Sequence, residues 1–228
     1  MPTSNGVQQQ PRNWPDGISF ISDQAYSPAV DATLLQKLHT PTASTASWPK
    51  ISSKDGLSSP CKRVTITSIA ADATSHPARG QHGLFAATHL PPDSFIVLYV
   101  GLVHTGAEAD TNAASDYDLS LDRDLGLAVD AADLGNEARF VNDYRGIADA
   151  PNAEFRDCWV QMLPPSETPS SSSSSSSRRW ERRMGVFVLG KGKAGKRVRG
   201  ISPGQEILVN YGRTFWRERN KAEEEGDA

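Results

Sequence analysis

The sequence predicts a mostly β domain with few short helices, and three observations lead to that prediction. Short apolar runs rich in β-branched residues recur from "CKRVTITSI" to "QEILVNYG". Some of them, such as "DYDLSLD", alternate polar and apolar residues as half-buried strands do. Turn residues separate the runs, and helical periodicity between them is scarce. Many short strands with little helix indicate a β fold.

The strand-like runs follow one another closely after residue 60. "CKRVTITSI" leads to "HGLFAATHL" and "SFIVLYVGLV", which the turn "PPD" separates, and "LGLAVDAAD" follows "DYDLSLD". Residues 1–60 are rich in Pro, Ser, Thr and Gln, so we expect this segment to be flexible or loosely docked. It contains one predicted helix, in "SPAVDATLLQKLH", where Leu34, Leu35 and Leu38 form an apolar face.

Composition limits the class of protein. A chain of 228 residues holds one sizeable domain, and a mean hydropathy of −0.48 fits a chain that is partly loop or tail. The net charge of −3 gives no overall case for nucleic-acid binding. No apolar run approaches the roughly 20 residues of a membrane span, and we see no signal peptide, so we expect a soluble intracellular protein. Two cysteines and scattered histidines predict no metal site.

Two insertions and a tail are predicted within and after the β domain, which we place at residues 61–216. Residues 164–180 include a run of serines that buries too little apolar area to offset the entropy of ordering it, so we expect a flexible loop. Residues 190–200 are strongly basic; a solvated hairpin and a patch for an acidic partner both stay open. Residues 217–228 form a charged tail.

The segment "GNEARFVNDYRG", residues 135–146, places polar side chains among apolar neighbours. As a plain strand it would bury several hydrogen-bonding groups, each of which needs a partner. Alone it fits a polar turn at a strand end. It stands, however, in an ordered series of motifs, in which "RGQHGLFA" and "DYDLSL" precede it and "PNAEF" and "GQEILVNYG" follow.

This series resembles the SET domain of protein-lysine methyltransferases over roughly residues 62–216. That family runs as Gly-x-Gly-Leu, Tyr-x-Leu, Gly-Asn-x-Ala-Arg-Phe-x-Asn-His-Ser, Pro-Asn and Glu-Leu-x-x-x-Tyr-Gly. The resemblance implies short sheets with a knot-like crossing near the C-terminus. It implies S-adenosylmethionine as cofactor and methyl transfer to a lysine amine of a protein substrate, most readily a histone tail. It also implies a nuclear rather than a cytoplasmic location, whereas the lack of a long apolar run predicts no membrane partner.

The resemblance assigns expected roles to twelve residues. Tyr211 matches the catalytic tyrosine whose hydroxyl orients the amine, and Tyr117 matches a tyrosine of the lysine channel. Phe155 and Val209 fall at positions of the channel wall. Cofactor contacts are implied for Gln81, His82, Gly83, Arg139, Phe140, Asn142, Asp143 and Trp216.

Departures from the family pattern keep two alternatives open. Asp143 stands where the family has His; its main chain can still serve the adenine, but it places a negative side chain near the cofactor. This departure favours a catalytically silent SET fold that serves as a protein-interaction module, whereas the retained Tyr211 argues against it. The other alternative is a chromatin or nucleic-acid adaptor that uses the basic insertion and binds phosphates in a salt-sensitive way.

Overall fold

The structure, a computed structural model, describes residues 9–55, 57–162, 179–192, 199–212 and 215–216. These residues form one α-helix, three 3-10 helices and fourteen short strands, which confirms the predicted mostly β fold. The helix α1 is Ala32–Leu38, and the 3-10 helices are Ser53–Asp55, Glu108–Asp110 and Glu137–Phe140. The strands are β1 (Ser19–Phe20), β2 (Ala25–Tyr26), β3 (Lys50–Ile51), β4 (Val64–Ser68), β5 (His82–Ala86), β6 (Phe95–Leu98), β7 (Leu102–Thr105), β8 (Asp118–Asp122), β9 (Leu127–Asp130), β10 (Leu134–Gly135), β11 (Asn142–Asp143), β12 (Ala153–Met162), β13 (Arg179–Val188) and β14 (Leu208–Val209).

The described strands assemble into two four-stranded sheets and three two-stranded sheets. The larger sheets have the orders β3-β12-β13-β6 and β2-β7-β9-β8. The small sheets pair β4 with β5, β1 with β10, and β11 with β14. The β11–β14 pair is parallel. Ile207, which directly precedes β14, donates its N–H to the carbonyl of Leu84 on β5 at 2.8 Å. The C-terminal strand segment therefore lies between β5 and β11.

One hydrophobic cluster joins side chains from both larger sheets. Ile96 on β6, Val129 on β9 and Val186 on β13 have no exposed surface within it. Branched side chains of this kind suit strands because they pack well on a pleated surface. Burying each contributes roughly 1.5–3 kcal/mol. This core fixes the strands whose ends carry the candidate site.

The N-terminal segment is integrated into the fold more closely than its composition predicts. β1 pairs with β10, β2 with β7 and β3 with β12, all in parallel. The predicted helix is present as α1, where the side chain of Asp31 caps the first turn by accepting from the N–H of Leu34 at 2.8 Å. Leu38 is 1% exposed in the main core. The expectation of a flexible or loosely docked segment over residues 1–60 is therefore not met by the described part of it.

Buried charges also tie this segment to β13. The side chain of Arg183 is 2% exposed and donates to Asp23 Oδ1 at 2.8 Å. Glu181 accepts from the hydroxyl of Tyr26 and lies 3.0 Å from Nε2 of His39. Removing charges from water is costly unless each one has partners. Glu181 and Arg183 also pair with each other on β13, and the N-terminal segment supplies their further partners.

The predicted insertions fall mainly outside the described residues. These residues include neither 163–178 nor 193–198, and they stop short of the tail at 217–228. β13 begins at Arg179, so the end of the Ser-rich insertion, which the sequence placed at residue 180, lies within a strand. In the described ranges, no helix has the length and apolar character needed to cross a membrane. Cys61 and Cys158 are buried free thiols.

Replacing Leu38 with Ala tests how firmly the N-terminal segment is docked. Because this side chain is almost fully buried in the core, its removal leaves a cavity, and we expect the free energy of unfolding to fall by about 2–5 kcal/mol. Urea unfolding followed by circular dichroism measures the change. The exposed neighbour Lys37 provides the control, since Lys37→Ala is expected to alter stability by no more than about 0.5 kcal/mol. Equal stability of the two variants would show that the helix is only loosely held.

Candidate active site

A cavity of about 700 Å³ opens beside the polar segment that begins at residue 136. Sites for small molecules and cofactors usually measure about 300–1,000 Å³. The cavity wall is contributed by separate parts of the chain, from the N-terminal segment to the C-terminal strand and beyond it. Nine of the twelve residues singled out from the sequence lie in this wall: Gln81, His82, Tyr117, Arg139, Phe140, Asn142, Asp143, Tyr211 and Trp216.

The other three predicted residues lie outside the cavity wall. Gly83 is on β5, where an added Cβ would come within 2.6 Å of Glu206 Oε1, so any side chain there would displace that carboxylate. Phe155 packs edge-on against Tyr99, with ring centroids 5.6 Å apart. Val209 is fully buried on β14. That Phe155 and Val209 line a lysine channel stays a prediction.

The hydroxyl of Tyr211 donates to the carbonyl of Val141 at 2.6 Å. Burial raises the pKa of Tyr211 well above its usual range, and the nearby Tyr117 and Asp143 act in the same direction. The hydroxyl therefore stays protonated at neutral pH. Because its single hydrogen is given to Val141, the atom that Tyr211 offers to a ligand is an oxygen with free lone pairs. Such a group can orient a donor but does not act as a base.

Tertiary partners satisfy the polar side chains that open the segment. Asn136 caps the 3-10 helix, and its amide group donates to the carbonyl of Leu98 at 2.9 Å. Glu137 is 2% exposed and accepts from the N–H of Cys61 at 2.7 Å. Burial raises the pKa of this carboxyl, while the hydrogen bonds partly oppose that effect. The segment is thus a buried turn and not a plain strand.

Arg139 holds the adjoining part of the wall through two nitrogens of its guanidinium. Nε donates to the carbonyl of Ala131 at 2.8 Å and Nη2 to that of Ala132 at 3.2 Å. The guanidinium carbon also lies 4.2 Å from the ring centroid of Tyr117 and 4.9 Å from that of Phe140. Contacts of this kind between a cation and aromatic rings stabilise a partly desolvated charge. Two aromatic residues of the cavity are therefore held around one side chain.

The side chains of Glu206 and His76 orient Asn142. The Asn142 amide nitrogen donates to Glu206 Oε1 at 2.8 Å and to the carbonyl of His82 at 3.2 Å. The other oxygen of Glu206 lies 3.0 Å from Nε2 of His76. Nδ1 of His76 accepts from the N–H of Ala78, so its Nε2 carries the hydrogen given to Glu206. Both amide hydrogens of Asn142 are thereby used, and its oxygen is left for a ligand.

The carboxylate of Asp143, which the sequence analysis expects near the cofactor, has several hydrogen-bond partners within the protein. Its carboxylate accepts from the N–H of Tyr211 at 2.7 Å, from the indole of Trp216 at 3.2 Å and from Arg145. The residue lines the cavity, but its negative charge is paired with Arg145. The charge that the sequence placed near the cofactor thus has a cation of its own.

Sequence reasoning missed several residues of the site. Glu206 stands in a motif of the series, yet nothing in its spacing showed that it would hold Asn142. Pro15 and Ile18 line the cavity, and the neighbouring Trp14 packs edge-on against Phe140 at 5.5 Å between ring centroids. The composition of the N-terminal segment gave no sign of this. Within the described ranges, no group of three or more His, Cys, Asp or Glu residues is arranged to hold a metal ion.

Comparisons with known proteins identify a family for this sequence. The sequence model of the SET domain matches residues 81–212. No curated protein matches the chain. The crystal structure of polycomb repressive complex 2 from Chaetomium thermophilum is similar at 22% identity, over 68% of this chain and 16% of that chain, with a TM-score of 0.44.

A second structure of that complex is described as autoinhibited and bound to S-adenosylmethionine. It matches at 22% identity over 70% of this chain and 17% of that chain, again with a TM-score of 0.44. This chain therefore spans only a small part of the length of those chains. The family match, by contrast, extends over more than half of the 228 residues. It confirms the resemblance found in the motifs: this chain belongs to the SET domain family.

Proposed function

We propose that this chain transfers a methyl group from S-adenosylmethionine to the side-chain amine of a lysine in a protein substrate. One observation carries the proposal: Tyr117 and Tyr211 share a cavity with the segment around Asn142, and all three belong to the SET motif series. A silent SET fold would need neither a formed cavity nor a tyrosine hydroxyl beside it.

The cavity suits this cofactor in size and in chemistry. Its volume of about 700 Å³ is ample for a nucleoside joined to an amino acid. Phe140 and Trp216 offer aromatic surface to the adenine. The oxygen of Asn142 is the acceptor left for the ammonium of the methionine portion, because both amide hydrogens are used within the protein. When bound, S-adenosylmethionine supplies the methyl group.

The residues of the chain would then orient and desolvate the incoming amine. A free lysine has a pKa of about 10.4 and must lose its proton before it can attack. A water-poor aromatic passage favours the neutral amine because burial disfavours its charge. Tyr211 would accept a hydrogen bond from the amine with its oxygen, since its own hydrogen is held by Val141. Orientation of this kind is worth roughly 7–11 kcal/mol for a well-aligned pair of reactants.

The finer parts of the proposal are supported by the family resemblance. These parts are a histone-tail lysine as substrate, a nuclear location, and Phe155 and Val209 as walls of the lysine passage. Phe155 is half-buried beside Tyr99, whose hydroxyl donates to the carbonyl of Tyr117 at 2.6 Å. Phe155 is thus linked to the tyrosine proposed for the passage through a single intervening residue.

Cofactor binding is the first expected property. We expect calorimetry to show that wild-type protein binds S-adenosylmethionine, and that Asn142→Ala weakens binding by about 1–3 kcal/mol because a buried hydrogen bond is lost. Asn112→Ala, in an exposed turn away from the cavity, is the control and should bind as wild type does. Absence of binding heat for wild-type protein at millimolar cofactor would favour the silent fold.

Tyr211→Phe separates catalysis from folding. The variant keeps the ring but removes the oxygen proposed to orient the amine, so we expect turnover of lysine peptides to fall about a hundredfold or more. Loss of the donor to the Val141 carbonyl should lower the free energy of unfolding by about 1–3 kcal/mol, which leaves the protein folded. Mass spectrometry of a peptide library measures turnover. The control is Tyr144→Phe, which should retain activity because Tyr144 lies outside the cavity wall. Full activity of Tyr211→Phe would show that the Tyr211 hydroxyl has no part in catalysis.

A further inference from the structure

Asp143 is the residue at which this sequence departs from the SET pattern within the site. Its side chain is 4% exposed. A buried carboxylate is tolerated only when its charge is paired and its oxygens accept hydrogen bonds. The donors of those hydrogen bonds therefore show which parts of the chain the carboxylate holds in place.

Both oxygens of the Asp143 carboxylate are occupied by donors within the protein. Oδ1 accepts from the main-chain N–H of Arg145 at 2.9 Å and from its Nη1 at 3.0 Å. Oδ2 accepts from the same Nη1 at 2.9 Å, from the N–H of Tyr211 at 2.7 Å and from the indole Nε1 of Trp216 at 3.2 Å. The carboxylate thus fastens the turn after β11 to the C-terminal segment at two separate points.

Arg145 strengthens the same junction. Its Nη1 also donates to Asn210 Oδ1 at 3.2 Å, and its guanidinium carbon lies 5.8 Å from the ring centroid of Trp216. The side chain of Arg145 is 37% exposed, whereas that of Asp143 is enclosed. The anion is therefore the fixed half of the ion pair.

The residues that Asp143 holds belong to an aromatic wall of the cavity, formed by Tyr211, Phe215 and Trp216. Phe215 meets Tyr211 edge-on, with ring centroids 4.8 Å apart, and meets Trp216 edge-on at 5.4 Å. The wall has two ends, and each end is hydrogen-bonded to the same carboxylate. Displacing that carboxylate would release both ends.

We propose that Asp143 is a positioning residue that acts through Trp216 and Tyr211: its carboxylate fixes the aromatic wall against which the cofactor binds. The inference rests on the proposed function, because it takes S-adenosylmethionine as the occupant of the cavity. It gives the side chain of Asp143 a task separate from the main-chain contact that the family resemblance implies.

Calorimetric titration of S-adenosylmethionine and of its demethylated product into the full chain tests the inference. Asp143→Asn keeps the shape of the side chain but removes the charge that pairs with Arg145, and Trp216→Phe keeps an aromatic ring but removes the indole N–H. We expect each variant to bind both molecules about tenfold more weakly. The double variant should lose less affinity than the product of the two single losses, because Asp143 and Trp216 share one of the contacts that fix the wall.

Controls separate positioning from a general loss of stability. Asp93→Asn is the matched control: Asp93 pairs with Arg156 at 2.9 Å on the surface, outside the cavity wall, and its variant should bind as wild type does. Urea unfolding of each variant without cofactor shows whether the variants that bind the cofactor more weakly also have a lower free energy of unfolding.

Three outcomes would contradict the inference. Unchanged binding by Trp216→Phe overturns it even if Asp143→Asn fails to fold. Losses of affinity that multiply in the double variant overturn it as well, because they would show that the two residues act independently. Both results leave the proposed function standing. If wild-type protein binds no cofactor, the proposed function fails, and the inference fails with it.

Discussion

The need to satisfy polar groups buried between Asn136 and Arg145 governs both the fold and the site. An unpaired polar group inside a protein costs about 1–3 kcal/mol, and a charged one costs more. Each of these side chains therefore requires a partner, and the partners lie far apart in the sequence. Glu137 is satisfied near residue 61, Asn142 by Glu206, and Asp143 beyond β14. One short segment thus makes several distant parts of the chain converge.

The same contacts that satisfy these groups also shape the cavity. Arg139 is anchored by two carbonyls and in turn holds the rings of Tyr117 and Phe140 around it. Asn142 is fixed by Glu206, which leaves one atom of its amide for a ligand. Side chains that are locked by packing and by hydrogen bonds to neighbours can hold a ligand without reorganising. In this chain the hydrogen bonds that satisfy the buried groups also hold the cavity wall in place.

Many of the strands follow from the local alternation of polar and apolar residues, and half of the residues in the cavity wall were found through the ordered motifs that resemble the SET domain. Leu38 illustrates a local success, since the spacing of its neighbours predicted the helix that the structure contains. Pro15 illustrates the limit: its segment reaches the cavity through strand pairing with distant backbone, which leaves no trace in composition. Asp143 illustrates another limit. The sequence predicted a negative charge near the cofactor, but only the tertiary fold supplied Arg145, Tyr211 and Trp216 as its partners.

The pairing of the first strands has a consequence for how the chain reaches its native state. Ser19 pairs with Leu134, and Lys50 pairs with Trp159. On the ribosome, the N-terminal strands emerge long before the strands that complete them. Contacts between residues so far apart in the sequence slow folding, because the intervening loop must lose conformational entropy on closing before the paired strands stabilise it. The backbone edges of the newly made N-terminal segment therefore stay unpaired until the later strands have been made.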